Sequence, residues 1–97
     1  MSRPKHTRRD INQFSMVAIL RSLGMVVWDV ADHGGDVLDL ICHWRGQTCV
    51  VEVKRPGQRD ALTPNEKASI KALKDVGVKA IVAETWRDIV EAWEEER

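Results

Sequence analysis

Two neighbouring segments, residues 37–44 and 48–54, constrain the fold of this chain more than any other part of it. Both are composed largely of residues that favour strands. Arg45 and Gly46 lie between them, and a two-residue connection of this kind joins strands that run side by side in opposite directions. The sequence therefore predicts an antiparallel hairpin in the middle of the chain.

Pairing outward from this turn puts Asp39 opposite Glu52 and Cys42 opposite Cys49. Side chains alternate between the two faces of a strand, so Glu52 and Lys54 point to the same side of the hairpin. We therefore expect the hairpin to bring two carboxylates and one ammonium group together at the end away from its turn.

Other elements follow from periodicity and from residues that begin and end helices. Apolar residues at helical spacing predict a first helix over residues 10–23, which ends at Gly24. Thr63, Pro64 and Glu66 form a capping-box pattern that predicts a helix running to about residue 74. Further strands are predicted at residues 25–30 and 78–83, and a last helix is predicted at residues 85–93.

The resulting order of elements is αβββαβα. A helix that connects two strands of one sheet normally returns parallel to the strand it left, so the last strand should lie parallel to the second arm of the hairpin. The predicted fold class is α/β, with a mixed β-sheet flanked by helices.

The first helix carries more apolar residues than one buried stripe needs. Three residues widen the stripe, namely Met16, Ala18 and Ile19. We therefore expect this helix to be packed on two sides or to lie at a contact between subunits. The stripe itself consists of Ile11, Phe14, Val17, Leu20 and Leu23.

Length and composition indicate one small domain over residues 1–97. The 97 residues, 43% of them hydrophobic and 31% charged, suffice for a single core. Such a domain buries only somewhat more than about 60% of its unfolded surface, which makes a homodimer a reasonable expectation. The 15 basic and 15 acidic residues balance, yet residues 1–9 form a basic arm that suits a polyanion and equally suits a solvated terminus.

The apolar runs are all shorter than the roughly 20 residues that a membrane-spanning helix needs. Residues 1–10 are polar and lack the apolar segment of a signal peptide. We therefore expect a cytoplasmic protein without a membrane partner. Cys42 and Cys49 are too few for a disulfide scaffold, and reducing cytosol normally keeps such residues as thiols.

The opposed carboxylates of Asp39 and Glu52 carry the chemistry of the hairpin. Two carboxylates on directly opposed residues repel unless a cation, a proton or a hydrogen-bond donor lies between them. Their oxygen atoms suit Mg²⁺ or Mn²⁺. Lys54 supplies the ammonium group that orients an attacking water or stabilises charge on a phosphorane. The pattern predicts phosphodiester hydrolysis with Asp39, Glu52 and Lys54 as catalytic residues and with Asp39 and Glu52 on the metal.

Residues 35–39, Gly-Asp-Val-Leu-Asp, followed by Glu52-Val53-Lys54, resemble the PD-(D/E)xK nuclease pattern of an acid and a later ExK. Within that superfamily the chain most resembles the VRR-NUC domains, which are small phage and bacterial modules that are also fused to larger repair nucleases. The resemblance extends to the helix that opens at Leu62-Thr63-Pro64 and to Val76-Gly77-Val78 before the last strand.

This resemblance implies a restriction-endonuclease-like fold, a homodimer, and metal-dependent cleavage of structured DNA such as flaps or four-way junctions, within a phage or repair complex. It also implies that the Val53 carbonyl is a further metal ligand and that Asp10 and Glu66 are additional site candidates. The chain departs from the family at Leu38, which replaces a proline, and at Glu66, which replaces a glutamine. Glu66 also has a sufficient structural role in the capping box.

Four basic residues are predicted to contact nucleic acid. Arg55 and Arg59 lie in the loop directly after Lys54 and are the preferred contacts to the phosphate backbone. Lys67 and Lys71 share one face of the predicted helix with Lys74, where a solvated surface is an equal alternative. The four tryptophans are expected in the core or at contacts more often than against bases.

Two alternatives to a self-sufficient nuclease remain open. In one, the same fold is a catalytically silent module that binds DNA or a protein partner, and the acidic pair is structural. In the other, the domain is a subunit whose substrate is chosen by another protein, because 97 residues leave little surface for specificity.

Overall fold

A computed structural model describes residues 11–31 and 38–94. Within them the elements follow the predicted order αβββαβα. In chain order these elements are α1 (Ile11–Ser22), β1 (Val26–Asp29), β2 (Leu40–Trp44), β3 (Gln47–Val53), α2 (Pro64–Asp75), β4 (Lys79–Ala83) and α3 (Trp86–Glu94).

The four strands form one mixed sheet in the order β1-β2-β3-β4. The first three strands are antiparallel, and β4 lies parallel to β3, as the helical crossover predicts. Arg45 and Gly46 form the hairpin turn with φ angles of 52° and 78°, which is the pair of positive values that such a turn requires. The predicted pairing of Cys42 with Cys49 is confirmed.

The start of β2 was predicted wrongly. The ladder between β2 and β3 ends at the pair Leu40 and Val51, so Asp39 lies just before the strand. Its N–H donates to the Val51 carbonyl at 3.0 Å, and its carboxylate accepts the Val53 N–H at 2.8 Å. The Asp39 side chain thus takes a backbone donor of the neighbouring strand, which interrupts regular pairing here.

The core lies between one face of the sheet and the helices α1 and α3. Trp93 of α3 is buried there, and its indole N–H donates to the carbonyl of Trp44 at the hairpin end at 2.7 Å. Both cysteines are buried in this core as thiols. Its central buried members are Met16, Leu20, Val27, Leu40, Cys42, Cys49, Val51 and Ile89.

The buried side of α1 differs from the predicted stripe. Phe14 and Leu23 are 56% and 44% exposed, whereas Gln13 and Met16 are buried together with Val17 and Leu20. Gln13 can be buried because its side-chain amide donates to the Asp29 carboxylate at 3.2 Å. This polar pair turns the helix away from the orientation that apolar spacing alone predicts.

The opposite face of the sheet is covered by α2. The predicted capping box is present, with Thr63 and Glu66 each bonding the backbone N–H of the other. The helix ends at Asp75, and Gly77 follows two residues later with a φ of 88° that suits glycine. The Val78 N–H donates to the Leu73 carbonyl at 2.9 Å across this end. None of the residues of α2 is fully buried, so this helix covers its face of the sheet only partly.

Across residues 11–31 and 38–94, none of the helices combines the length and the apolar character needed to cross a membrane.

Candidate functional site

Asp39 is held between two strands by its own backbone. Its carbonyl accepts the Val30 N–H at 2.9 Å on the β1 side, and its N–H donates to Val51 at 3.0 Å on the β3 side. Its carboxylate is fixed by the bond from the Val53 N–H. These bonds orient one carboxylate oxygen toward β3 and leave little freedom for the side chain.

Glu52 and Lys54 lie at the end of β3, where β3 runs beside β4. The Glu52 side chain is only 6% exposed and lies on the sheet face that α2 covers. The Lys54 N–H donates to the Ala83 carbonyl at 2.9 Å, which fixes the backbone just past the end of β3. The Lys54 ammonium lies 3.7 Å from a Glu52 oxygen.

Glu66 joins this group from the first turn of α2. One oxygen of its carboxylate accepts both the Thr63 N–H at 2.9 Å and the Lys54 ammonium at 3.0 Å. The same residue therefore caps the helix and contacts the site. Because Glu66 lies on α2 and Lys54 follows β3, their contact depends on the packing of α2 across the end of the sheet.

Burial and mutual repulsion disfavour the charged forms of two of the three carboxyl groups. Burial, followed by the negative charge of Asp39, raises the pKa of Glu52 to about 9. Burial also raises the pKa of Asp39, against the opposing effect of the hydrogen bond from Val53. Burial acts in the same direction on Glu66, yet its bonds from Thr63 and Lys54 prevail and lower the pKa of this carboxyl.

The three groups therefore share protons unequally. A neutral Glu52 can donate its proton to the Asp39 or the Glu66 carboxylate, and both contacts exist in the structure. In the absence of a metal, one proton and the Lys54 ammonium compensate for two of the three acids and leave one negative charge.

The donor set has the chemistry of a hard-cation site. Asp39 and Glu52 offer carboxylate oxygens beside the backbone of Val53, and hard divalent cations prefer oxygen ligands. A cation would also compensate for the neighbouring negative charges, whose repulsion adds to the effect of burial on the pKa of Asp39 and of Glu52. Within the two described ranges, however, no three His, Cys, Asp or Glu side chains converge closely enough to form a ready metal-binding group.

The predicted nucleic-acid contacts are distributed unevenly around this site. Arg59 forms ion pairs with Glu84 at 3.4 Å and with Asp88 at 2.9 Å. Lys71 pairs with Asp75 at 2.7 Å on α2. Arg55 and Lys67 are exposed, and Arg55 directly follows Lys54. To contact nucleic acid, Arg59 and Lys71 would therefore have to break these ion pairs and bind phosphates instead.

Some predicted residues lie outside the described part of the chain. These are Asp10, the basic arm at residues 1–9, and residues 35–37 of the motif. The sequence prediction in turn missed the bond between the buried Gln13 and the partly buried Asp29, whose carboxylate also accepts the Ala31 N–H at 3.3 Å. The signal was a glutamine next to the apolar residues of the first helix, followed by an acid at the end of the first strand.

No family model, curated protein or solved structure matches this chain. The resemblance to the VRR-NUC domains therefore rests on the motif residues themselves.

Proposed function

We propose that this chain is a divalent-metal-dependent endonuclease that hydrolyses phosphodiester bonds in DNA. The observation that carries the proposal is the group formed by Asp39, Glu52 and Lys54, in which an acid between two strands meets an acid and a lysine on the neighbouring strand. The resemblance to VRR-NUC domains favours a restriction-endonuclease-like fold and a substrate with flaps or four-way junctions.

Asp39 and Glu52 are the residues that would hold Mg²⁺ or Mn²⁺, with the Val53 carbonyl as a further ligand. When bound, such an ion polarises the phosphodiester and makes its water more acidic. Lys54 provides positive charge beside Glu52, where it orients the attacking water or stabilises negative charge that develops on the phosphate oxygens. Glu66 holds the Lys54 ammonium in position.

The burial of Glu52 supports this assignment. An acid that is 6% exposed and lies beside another acid destabilises a fold in its charged form, unless a cation compensates for it. Simple structural ion pairs use equal numbers of opposite charges, whereas this group has three acids and one lysine. The excess of negative charge fits a site that binds a cation.

The test is cleavage of labelled linear, flapped, nicked and four-way-junction DNA with Mg²⁺ or Mn²⁺. We expect products from the wild type and a loss of at least about 100-fold in rate for Lys54→Ala, because charge stabilisation of this kind is worth that much. Lys79→Ala is the matched control, since Lys79 begins β4 opposite Cys49, at the other end of this strand from the site.

The thermal unfolding of both variants must be measured beside the cleavage rates, so that loss of folding is not mistaken for loss of chemistry. Equal cleavage by Lys54→Ala and the wild type would reject the assigned site. No cleavage of any substrate with either metal would reject the enzyme in favour of the second candidate.

The second candidate is a catalytically silent module that binds DNA or a protein partner. The observation in its favour is the ion pair of 3.0 Å between Lys54 and Glu66, which gives the lysine a structural partner within the chain. In that case Lys54→Ala lowers stability and leaves DNA binding nearly unchanged, which a binding assay in EDTA measures directly.

A second copy of the chain is the partner we propose for the outer side of α1. Ile19 and Leu23 are exposed there although both are large and apolar. Exposed apolar residues of this kind, when they form a contiguous patch, are a common feature of subunit contacts.

A further inference from the structure

Trp28 lies on the same face of the sheet as the candidate catalytic carboxylates. Trp28 of β1 pairs with Ile41 of β2, and Ile41 comes two residues after Asp39 in the chain. The Val30 N–H bond to the Asp39 carbonyl continues this register up to Asp39. Strand spacing then gives a Cα separation between Trp28 and Asp39 of roughly 8 Å.

The Trp28 side chain is 54% exposed, an unusual value for a tryptophan on a strand. Its ring meets the His43 ring at 4.4 Å between centroids with an interplanar angle of 64°. The His43 ring is held in turn by a hydrogen bond of 3.0 Å between its Nδ1 and the Thr48 hydroxyl. Trp28 is therefore an oriented ring with one side open to solvent.

The other tryptophans already have intramolecular roles. Trp93 is buried, and its indole N–H donates to the Trp44 carbonyl. The Trp44 ring packs edge-on against the Trp93 ring and carries the Arg45 guanidinium at 4.1 Å on its face. The Trp86 ring carries the Arg87 guanidinium at 4.9 Å and packs against the core. Trp28 is the tryptophan that presents the largest exposed fraction near the site.

A groove between α2 and the sheet lies on the same face as this ring and the site, and its lining residues are neighbours of both. Its volume is about 540 Å³, within the range of small-ligand pockets. It includes Ile41, the partner of Trp28, and also Leu38 and Asn65, which directly precede Asp39 and Glu66. The remaining lining residues are mainly apolar, namely Val50, Ala68, Ser69, Ala72 and Leu73. An apolar surface thus runs up to a strongly polar centre.

We propose that Trp28 stacks on an unpaired nucleobase of the DNA substrate, beside the phosphodiester that Asp39 and Glu52 engage. A nucleotide likewise combines a flat apolar base with a charged phosphate. Bases within a duplex are stacked on each other and cannot offer a face to the ring, so the bound nucleotide is single-stranded or unstacked. This inference rests on the proposed function and narrows its substrate to DNA that is unpaired at the cleavage position.

The test is the binding of a short fluorescein-labelled oligothymidylate, followed by fluorescence anisotropy in EDTA, where a metal-dependent nuclease cannot cleave. We expect Trp28→Ala to weaken binding about tenfold, because stacking on one aromatic ring is worth about that factor. Trp28→Phe retains an aromatic face and should lose about threefold or less. The control is Val26→Ala, which alters an equally exposed apolar residue on the same strand and face.

A second oligonucleotide, with the same backbone but with abasic residues, isolates the stacking contact. The wild type should bind it about tenfold more weakly than oligothymidylate, whereas Trp28→Ala should bind both about equally. Equal binding of oligothymidylate by Trp28→Ala and the wild type would overturn the inference. The inference would also be overturned if Trp28→Ala and the wild type preferred oligothymidylate over the abasic strand by the same factor.

Sedimentation of the Trp28→Ala chain at the assay concentration excludes a different explanation. An unchanged oligomeric state is expected, and a loss of binding that follows dissociation into monomers would overturn the stacking role. The two proposals fail separately. Cleavage without base-dependent binding rejects this inference alone, and base-dependent binding without cleavage by any metal rejects the nuclease alone.

Discussion

Glu52 is the residue where burial and charge oppose each other most strongly. Its pKa of about 9 in the folded chain contrasts with an ordinary value of 4.5 in the unfolded chain. The stability that Glu52 contributes is therefore fully present below about pH 4.5 and is lost as the pH rises toward 9, because the unfolded chain ionises first. A side chain that cannot ionise should remove this dependence.

Glu52→Gln tests this pH dependence. In metal-free buffer, the free energy of unfolding of the wild type should fall relative to that of Glu52→Gln by at least about 1 kcal/mol between pH 5 and pH 8. Urea unfolding at several pH values measures the difference, in which the contributions of other groups cancel. Parallel curves for the two proteins would show that Glu52 is ionised in the fold.

Metal binding should reverse the loss of stability that ionisation of Glu52 causes. With Mg²⁺ or Mn²⁺ at about 100 times its dissociation constant, the wild type should gain about 2.7 kcal/mol of stability. Glu52→Gln and Asp39→Asn should gain much less, because each lacks a charged ligand. Thermal unfolding with and without the ion at pH 8 provides the readout, independently of cleavage. An equal gain in stability for all three proteins would show that the cation binds elsewhere.

At the scale of the elements, α2 is tied to the site by Glu66. This one residue bonds the Thr63 N–H at the helix start and the Lys54 ammonium after β3. The orientation of the helix over the sheet and the position of the lysine are therefore coupled. Substitutions that separate the two bonds can distinguish the cap from the ion pair.

Glu66→Gln and Glu66→Ala provide this separation, because glutamine can also complete a capping box. Glu66→Ala should be less stable than Glu66→Gln by about 1 kcal/mol, the typical worth of a capping bond. Urea unfolding measures the difference, with Glu91→Ala on the exposed side of α3 as a control for loss of a surface acid. Equal stability of the two Glu66 variants would mean that the cap contributes little.

Local chemistry made most of the elements predictable from the sequence. The turn at Arg45 and Gly46 and the cap at Thr63 each depend on a few adjacent residues, and both were predicted correctly. The buried side of α1 and the first residue of β2 were not, since they depend on Gln13 meeting Asp29 and on Asp39 bonding across the sheet.

The candidate site divides in the same way. The hairpin register predicts that Asp39, within the first arm, lies opposite Glu52 and close to Lys54. The structure brings these groups together, although Asp39 lies just before β2 and Lys54 just after β3. The contact of Glu66 with Lys54 could not be predicted from the hairpin register, because it depends on how a separate helix, α2, crosses the sheet. The face on which Trp28 lies depends on the pairing of β1 with β2, and the packed structure shows that α2 leaves this ring exposed.

At the scale of the whole molecule, the outer side of α1 is the surface on which the proposed dimer can be tested. Leu23→Glu introduces a charge at an exposed apolar position and should convert a dimer into monomers, since a buried unpaired charge strongly opposes association. Sedimentation equilibrium measures the mass, and Ser22→Glu is a control on a neighbouring exposed position. A monomeric wild type would reject the dimer.

The bond between the Lys54 N–H and the Ala83 carbonyl has a consequence for the order of folding. The β2–β3 hairpin closes a loop of two residues and can form early, whereas this bond must wait until α2 and β4 have been added. In pulsed hydrogen exchange, the Lys54 amide should therefore become protected after those of the hairpin. A chain emerging from the ribosome would carry its acids before its lysine is anchored, so the candidate centre is completed only after β4 has been synthesised.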